Sequence, residues 1–383
     1  MKTVRLGIIG MGNMGKFHAD YLLHNKVARA ELTAVCSRLP PSLPNGQEVK
    51  VYDTSEKLIR SGEVDAVIIA TPHYAHTSIG IDALEQGLHV LVEKPISAHK
   101  ADCERLLAAH RNPQQVFSAV FQLRTEPKYR KVRSLIQGGE LGTITRVNWI
   151  ITDWYRTEAY YASGGWRATW KGEGGGALLN QCPHNLDMLI WLCGRPSAAR
   201  GFCQLGRFHN IEVEDNVTAY LQWANGATGV FITSTGEAPG TNRLEIVGDR
   251  GKLVLENQKL TFTRNEVSMI EFSQKSQAGF AKPEVWNIDV PFAPTTGQHF
   301  EITQNFVEAI LDGASLIAPA AEGIHSVELA NAILYSSLKG ETIELPLDAQ
   351  LYERELQGLV AQSRHQKKVV QNVAEDFSQS FNR

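Results

Sequence analysis

Residues 4–15, VRLGIIGMGNMG, restrict the possible folds of this chain more than any other stretch. A short apolar run leads into Gly10, Gly12 and Gly15 in the spacing G-x-G-x-x-G, and a helical pattern, KFHADYLLHN, follows. Strand, glycines and helix in this order predict a dinucleotide site. The first glycine allows a tight turn, the second lets a pyrophosphate approach the backbone, and the third lets the helix pack closely on the strand. The N-terminal N–H groups of that helix are expected to bind the phosphates.

Four further apolar runs alternate with helical stretches, which indicates a doubly wound parallel sheet. The runs are ELTAVCS at 31–37, VDAVIIA at 64–70, HVLVEKP at 89–95 and QQVFSAVF at 114–121. Ligands of such sheets bind at the carboxyl ends of the strands. Besides the three glycines, the cofactor-binding candidates at this edge are Asn13, Met14, Ser37, Arg38, Thr71, Pro72, His73, His76, Glu93, Lys94, Pro95 and Gln122.

The end of the second strand predicts which cofactor is bound. An acidic residue normally binds the adenosine ribose at this point, whereas this chain has Ser37 followed by Arg38. A guanidinium suits a 2′-phosphate in charge and in geometry, so NADP is favoured over NAD. The next residues, LPPSLPNGQ at 39–47, are proline-rich and are not expected to form a helix.

A second candidate site lies in residues 174–194, GGGALLNQCPHNLDMLIWLCG, where three glycines precede a few polar side chains. Four side chains spaced by four, three and four residues fall on one stripe of a helix: Asn180, His184, Asp187 and Trp191. Because Pro183 belongs in a first helical turn, the helix is predicted to begin near 178–181, with Asn180 and His184 at its positive end. The glycines favour a nearby ligand. The alternative is that His184 is an ordinary core or surface histidine.

Residues 152–173, TDWYRTEAYYASGGWRATWKGE, are dense in aromatic and cationic side chains but fit neither a strand nor a helix period. They predict a loop that closes over a carbohydrate, with aromatic faces on its C–H surface and arginines on its oxygens or an acidic group. The candidate substrate ligands, with Arg124 added from the edge of the first sheet, are Arg124, Tyr155, Arg156, Tyr160, Trp166 and Arg167. The alternative is that the aromatic residues form core.

Composition excludes several classes of protein. The chain has 383 residues, a hydrophobic share of 43% and a net charge of −3, so two domains are expected, with neither nucleic acid nor a membrane as partner. The sequence contains no run of about 18 apolar residues and no secretory signal before the first strand, so a cytoplasmic location is expected. Five cysteines without a CxxC pair predict free thiols and no metal site. Cys182, inside the second candidate site, is a minor alternative as a nucleophile.

The pattern from 197 to 292 is alternating, with NG and DRG turns, and predicts antiparallel hairpins. Helices are predicted at 297–311 and 321–338. The resulting domain hypothesis has three parts: a dinucleotide-binding domain at 1–123, a substrate-binding and oligomerisation domain at 124–365, and a polar tail at 366–383.

Four motifs together resemble those of the Gfo/Idh/MocA family of oxidoreductases: the G-x-G-x-x-G loop, TPHYAH, VLVEKP and GGGALLNQCPHNLD. The resemblance covers residues 4 to about 360. It implies an α/β fold with an N-terminal Rossmann domain, a C-terminal domain on a large, mostly antiparallel sheet, and an active site in the cleft between them. It also implies hydride transfer between NAD(P) and a secondary hydroxyl of a sugar, polyol or inositol. A homodimer or homotetramer, assembled through the free face of the sheet, is implied as well.

The resemblance assigns roles to individual residues. Lys94 is implied to bind the reacting hydroxyl, Pro95 to be a cis-proline beside the nicotinamide, and His184 to be the catalytic histidine. Asn180 departs from the family pattern, which has Asp there, so Lys94 and His184 are left as the acid–base pair while Asn180 hydrogen-bonds substrate. Asp187 is expected either to orient the His184 ring or to form a helix-surface ion pair.

Two other functions are compatible with the same motifs. One is a glycoside hydrolase or lyase that oxidises its substrate transiently with tightly held NAD. The other is a non-catalytic dinucleotide-binding sensor, which does not need both Lys94 and His184.

Overall fold

The computed structural model of the chain describes residues 2–38, 48–294, 298–367 and 369. The proline-rich loop at 39–47 and most of the predicted tail at 366–383 lie outside the described residues. Within the described ranges, no helix has the length and apolar character needed to cross a lipid bilayer.

The first half of the chain forms a parallel sheet, as predicted, and this sheet has six strands. Its elements are β1 (Val4–Ile9), α1 (Asn13–Leu23), β2 (Ala30–Cys36), β3 (Lys50–Tyr52), α2 (Ser55–Ile59), β4 (Ala66–Ile69), α3 (His73–Glu85), β5 (His89–Val92), α4 (Lys100–Ala109) and β6 (Phe117–Ala119). The strand order is β3-β2-β1-β4-β5-β6. Every residue of β4 is buried, as expected for a parallel strand covered on both faces. The short strand β3 was not predicted.

The second half contains a nine-stranded sheet. After a short 3-10 helix at Gln122–Thr125, its elements are α5 (Pro127–Gln137), β7 (Ile144–Ile151), α6 (Glu158–Ala162), α7 (Pro183–Cys193), β8 (Ala198–Leu205), β9 (Glu214–Gln222), β10 (Thr228–Ser234), β11 (Asn242–Gly248), β12 (Gly251–Glu256), β13 (Lys259–Asn265), α8 (Met269–Lys275), β14 (Val285–Val290), α9 (Gln298–Asp312), α10 (Ala320–Lys339), β15 (Ile343–Glu344) and α11 (Ala349–Gln362). The strand order is β14-β13-β12-β11-β7-β10-β9-β8-β15. The pairing of β7 with β10 is parallel, and the other neighbours among the described strands pair antiparallel.

The predicted hairpins are confirmed. The NG turn joins β9 to β10 and the DRG turn joins β11 to β12, each as an antiparallel pair. The two predicted C-terminal helices correspond to α9 and α10. The sequence did not predict β7 or β14. The proposed domain boundary after residue 123 falls within the 3-10 helix that follows β6, and it remains a prediction.

Two packing relations position the cleft. Helix α9 packs against β1 and β5, so a helix from the second half lies on the first sheet. Helix α10 packs against α7 and β8 and covers one face of the second sheet at β8. In β9 the buried residues Val217, Ala219 and Leu221 alternate with exposed ones. One face of the nine-stranded sheet therefore packs on the core, while the other face at β9 is exposed.

Candidate active site

The glycine loop between β1 and α1 has the geometry that its spacing predicts. Gly10 has a φ of +98°, and a Cβ placed there would lie 2.6 Å from the Ala70 carbonyl oxygen. A Cβ on Gly15 would lie 1.9 Å from the Gly10 carbonyl oxygen, so the helix can pack this closely only with glycine. A Cβ on Gly12 would meet no atom within 4 Å. The loop therefore has open space beside Gly12 where a pyrophosphate could approach the backbone at the start of α1.

A cleft of about 830 Å³ runs from this loop to the GGGALLNQCPH segment. It brings together most of the predicted cofactor residues: Gly10, Gly12, Asn13, Met14, Ser37, Arg38, Thr71, Pro72, His73, Glu93, Lys94 and Gln122. The predicted substrate residues that also line it are Arg156, Tyr160, Trp166, Arg167, Asn180 and His184. The further lining residues that the sequence did not single out include Lys16, Asp53, Thr54, Trp154, Gln181 and His299.

Three predicted cofactor residues, Gly15, His76 and Pro95, do not line the cleft. The buried His76 ring contacts the carbonyl oxygens of Pro95, at 2.8 Å, and of Thr71, at 2.7 Å. The peptide bond between Lys94 and Pro95 is cis, as the resemblance implied. His76 therefore ties together the backbone after β4 and after β5, and it supports the cleft without lining it.

Arg124 was predicted to bind substrate, and the structure contradicts this. Its guanidinium is buried and donates to both oxygens of the Asp187 carboxylate, at 2.8 and 2.6 Å, and also to Glu322. These carboxylates hold Arg124 outside the cleft. Asp187 is therefore not available to orient the His184 ring, and its ion pair is buried rather than on the helix surface.

The predicted start of the helix within residues 174–194 was also wrong. Helix α7 begins at Pro183, in the first turn as expected, but Asn180 lies in the preceding turns and not on the helix. The buried Glu214 carboxylate accepts the backbone N–H groups of Gly176 and Leu178, at 2.9 and 3.0 Å, which holds this segment in turns. The four-residue helical stripe is therefore interrupted, although Asn180 and His184 still face one cleft.

Tyr155 was predicted in the substrate loop, but it does not line the cleft and is 48% exposed. Its neighbours Trp154 and Arg156 do line it. The ring of Tyr155 is therefore turned toward solvent, while the side chains on either side of it in the chain face the cleft.

Lys94 and His184 line the same cleft, and the pKa of each is shifted downward. The Lys94 Nζ donates to the backbone oxygen of Asn180 at 2.8 Å, and burial lowers the pKa of this ammonium from its ordinary value. Burial, together with the nearby Lys94 charge, lowers the pKa of His184 well below its ordinary value. The Gln122 Nε2 lies 3.3 Å from the His184 Nε2, and an amide can donate to this nitrogen only when the imidazole is neutral. At neutral pH His184 can therefore accept a proton.

Several polar atoms of the cleft wall are buried without a hydrogen-bond partner in the described part of the chain. They are Thr71 Oγ1, Gln122 Oε1, Gln181 Oε1 and His184 Nδ1. Because buried polar groups are rarely left unpaired, these atoms fit a wall that is completed by a polar ligand or by ordered water.

A buried polar network supports the floor of the cleft. Glu93 contacts His18 at 2.8 Å, His18 contacts Tyr21, and the Tyr21 hydroxyl contacts Thr303 on α9 at 2.7 Å. Burial acts to raise the pKa of Glu93, but the hydrogen bond and charge of His18 bring it below its ordinary value. This network links α1 and α9 to the residue preceding Lys94.

The aromatic segment forms one wall of the cleft around Tyr160. The Tyr160 hydroxyl accepts from Arg167 Nη1 at 3.0 Å and donates to Asn180 Oδ1 at 3.3 Å. The guanidinium groups of Arg156 and Arg167 lie over the Tyr160 ring, at 5.0 and 4.5 Å from its centroid. Such a wall offers apolar faces and fixed donors together, which suits a carbohydrate.

Burial makes the Cys182 thiol a poor nucleophile. Burial raises the pKa of its thiol to about 12, although a contact with Thr233 Oγ1 at 2.9 Å acts in the opposite direction. The thiolate, which is the reactive form, is therefore scarce at neutral pH.

A glycine loop at the carboxyl edge of a parallel sheet, opening toward a lysine and a neutral histidine, defines the class of NAD-binding oxidoreductases. Two family models agree: "Oxidoreductase family, NAD-binding Rossmann fold" matches residues 4–121, and "GFO/IDH/MocA C-terminal domain" matches residues 129–254. The chain belongs to the GFO/IDH/MocA family.

Several relatives span nearly the whole chain. Levoglucosan dehydrogenase of Pseudarthrobacter phenanthrenivorans is 26% identical over 90% of this chain and 99% of its own length. Inositol 2-dehydrogenase of Rhizobium meliloti is 24% identical over the same shares of the two chains. Among solved structures, the WlbA dehydrogenase from Chromobacterium violaceum in complex with NADH and UDP-GlcNAcA has a TM-score of 0.77 and 26% identity, covering 91% of this chain and 97% of that one.

Proposed function

We propose that this protein is an NAD(P)-dependent dehydrogenase that transfers a hydride between the cofactor and a secondary hydroxyl of a sugar, polyol or inositol-type substrate. The observation that carries the proposal is the approach of Lys94, from the first sheet, and His184, from α7, in one cleft that begins at the glycine loop. The relatives named levoglucosan dehydrogenase and inositol 2-dehydrogenase support this class of substrate.

The chemistry follows from the two side chains. When bound, the nicotinamide supplies the hydride acceptor or donor. Lys94 Nζ donates a hydrogen bond to the reacting oxygen and stabilises the negative charge that develops there. His184 accepts the hydroxyl proton in oxidation and returns it in reduction. Tyr160, Asn180 and Gln181 hold the remaining hydroxyl groups through their polar atoms.

The proposal is tested by incubating the purified chain with NAD⁺ or NADP⁺ and a panel of cyclitols, aldoses and glycosides. Reduced cofactor should accumulate in proportion to the oxidised product. Release of an aglycone without net cofactor reduction would instead identify a hydrolase or lyase. Cofactor binding without turnover of any substrate, reproduced in the reduction direction, would identify a sensor.

We further propose that NADP is preferred over NAD. Arg38 is exposed and lines the cleft together with Lys16, and no acidic residue ends β2. Asp53 also lines this end of the cleft, but its carboxylate is paired with Lys57 at 2.8 Å. Two cations near the adenosine end suit a 2′-phosphate.

Arg38→Ala is expected to weaken NADP⁺ binding by about tenfold or more, because a charge-assisted phosphate contact contributes about 1.5–3 kcal/mol. NAD⁺ affinity should stay near the parent value. Fluorescence titration with both cofactors measures the effect, with Arg111→Ala, at an exposed position outside the cleft, as control. An equal loss for both cofactors, or a parent that prefers NAD⁺, would remove the NADP assignment.

Tyr160→Phe is expected to raise KM for the sugar or polyol by about fivefold, since a hydrogen bond of this kind contributes about 1 kcal/mol. The hydroxyl holds Arg167 and Asn180 in place. Tyr155→Phe is the matched control, because its ring is exposed outside the cleft. Steady-state kinetics of both variants provide the test, and equal KM values in the two would contradict a role for this wall.

We also propose that the chain divides into two domains near residue 123. We propose further that it assembles as a homodimer or homotetramer through the exposed face of the nine-stranded sheet. Phe202 on β8 and Tyr220 on β9 are 56% and 38% exposed on that face. Aromatic side chains are enriched at such interfaces.

A further inference from the structure

Glu173, the residue immediately before the triple glycine, has its side chain buried beside the cleft. It is only 1% exposed. Its carboxylate accepts hydrogen bonds from the backbone N–H of Ala168 and from the side-chain Nδ2 of Asn180. This contact was not predicted from the sequence, because the turns between Glu173 and Asn180 bring the two side chains together.

The contact fixes the orientation of the Asn180 amide. Because Nδ2 is directed at Glu173, Oδ1 is the end that contacts the other cleft residues, and it accepts from Tyr160 at 3.3 Å and from Gln181 at 3.2 Å. A hydrogen bond from Nδ2 to a carboxylate also polarises the amide and makes Oδ1 more negative. Position 180 therefore offers an acceptor to the cleft, as an aspartate would.

The pair formed by Glu173 and Asn180 also contacts Lys94. The backbone oxygen of Asn180 accepts from Lys94 Nζ at 2.8 Å. A buried carboxylate is costly unless it is hydrogen-bonded and opposed by positive charge. Glu173 fulfils this condition through its two donors and through the nearby charges of Arg167 and Lys367, although burial still raises its pKa above the ordinary value. Glu214, on the other side of the glycine segment, is the neighbouring acidic group.

We propose that Glu173 is a positioning residue that supplies, through the Asn180 amide, the negative charge that an aspartate at position 180 would supply directly. The inference rests on the proposed dehydrogenase function. It explains why an asparagine can stand where the family pattern has Asp: the carboxylate lies one hydrogen bond further from the substrate.

The test is a reciprocal exchange of the acid and the amide. Glu173→Gln removes the charge and is expected to lower kcat by about tenfold or more, since a hydrogen bond involving a charged group is replaced by a weaker one. Asn180→Asp places two carboxylates against each other, with a comparable loss expected. The double variant again has one acid and one amide, because the new amide can accept from Ala168 and donate to the new carboxylate. Its kcat should return to within about threefold of the parent.

Recovery in the double variant is the decisive readout, because a second substitution that only damaged the fold would not restore activity. If Glu173→Gln alone does not fold, the comparison of Asn180→Asp with the double variant still decides. Cofactor affinity, measured by fluorescence titration, should be similar in all folded variants. Glu214→Gln is the matched control, since this buried carboxylate holds the same segment through backbone N–H groups, and Asn180→Asp should not relieve its defect.

Two results would overturn the inference. The first is a Glu173→Gln variant with the parent kcat. The second is a double variant that folds and binds cofactor but is no more active than Asn180→Asp. Both are distinct from failure of the proposed function, in which the parent itself transfers no hydride to or from any member of the substrate panel.

Discussion

Replacing Lys94 with methionine is expected to lower kcat by about 10²- to 10³-fold while cofactor affinity changes little. Methionine approximates the length of lysine but has no N–H donor, so the developing charge on the substrate oxygen loses its partner. The loss is large because Lys94 is half-buried beside Asn180 and His184, where water cannot easily replace it. Single-turnover measurement of reduced cofactor absorbance separates the hydride step from product release.

The controls for Lys94→Met follow from the same contacts. Lys275→Met removes an exposed lysine paired with Glu271 on the surface helix α8, and it should leave kcat, KM and cofactor affinity unchanged. A loss confined to KM would mean that Lys94 binds substrate and transition state equally. A Lys94→Met variant that turns over near the parent rate would contradict the assigned role.

The sequence could predict the first sheet and the glycine loop because their signals are local. The apolar runs and the G-x-G-x-x-G spacing each lie within about a dozen residues, and the φ of Gly10 and the close packing of Gly15 agree with them. The NG and DRG hairpins were predictable for the same reason.

The incorrect predictions concern contacts between residues distant in the chain. Arg124 was expected at the ligand edge, but Asp187, 63 residues later, binds its guanidinium. Helix α7 begins at Pro183 and not near 178–181 because Glu214 binds the backbone N–H groups before it. Helical spacing alone cannot anticipate either carboxylate, since both come from other elements of the fold.

The substrate segment illustrates a different limit. Composition predicted ligand-binding side chains in residues 152–173, but it could not determine which of them face the cleft. Trp154 and Arg156 line the cleft while Tyr155 is exposed. Glu173 was missed because a single buried acid near glycines has no periodic signal, and its role depends on the orientation of the Asn180 amide.

His184→Gln is expected to lower kcat/KM for oxidation by about 10²- to 10⁴-fold, because the amide cannot accept the hydroxyl proton. In the parent, burial and the Lys94 charge lower the pKa of His184 well below its ordinary value, so the imidazole is neutral through pH 7. The parent rate should therefore not depend on His184 titration near neutrality. It should fall only on acidification, as the imidazole becomes protonated. The pH profile of kcat/KM should lose this acidic limb in His184→Gln.

The same pKa shift predicts an effect on stability. In the unfolded chain the histidine titrates near its ordinary pKa of about 6.5, whereas folded His184 binds its proton only at lower pH. The unfolded state therefore takes up more protons below about pH 6.5, and the free energy of unfolding of the parent falls as the pH drops from there toward the folded pKa. His184→Gln removes this contribution, so urea unfolding at pH 8 and pH 5 should differ less in the variant than in the parent.

The control for the pH profile of kcat/KM is His24→Gln, at an exposed position directly after α1. This variant should retain the parent's acidic limb. An acidic limb that persists unchanged in His184→Gln would assign the base to another residue, and Lys94 would then be the first to test.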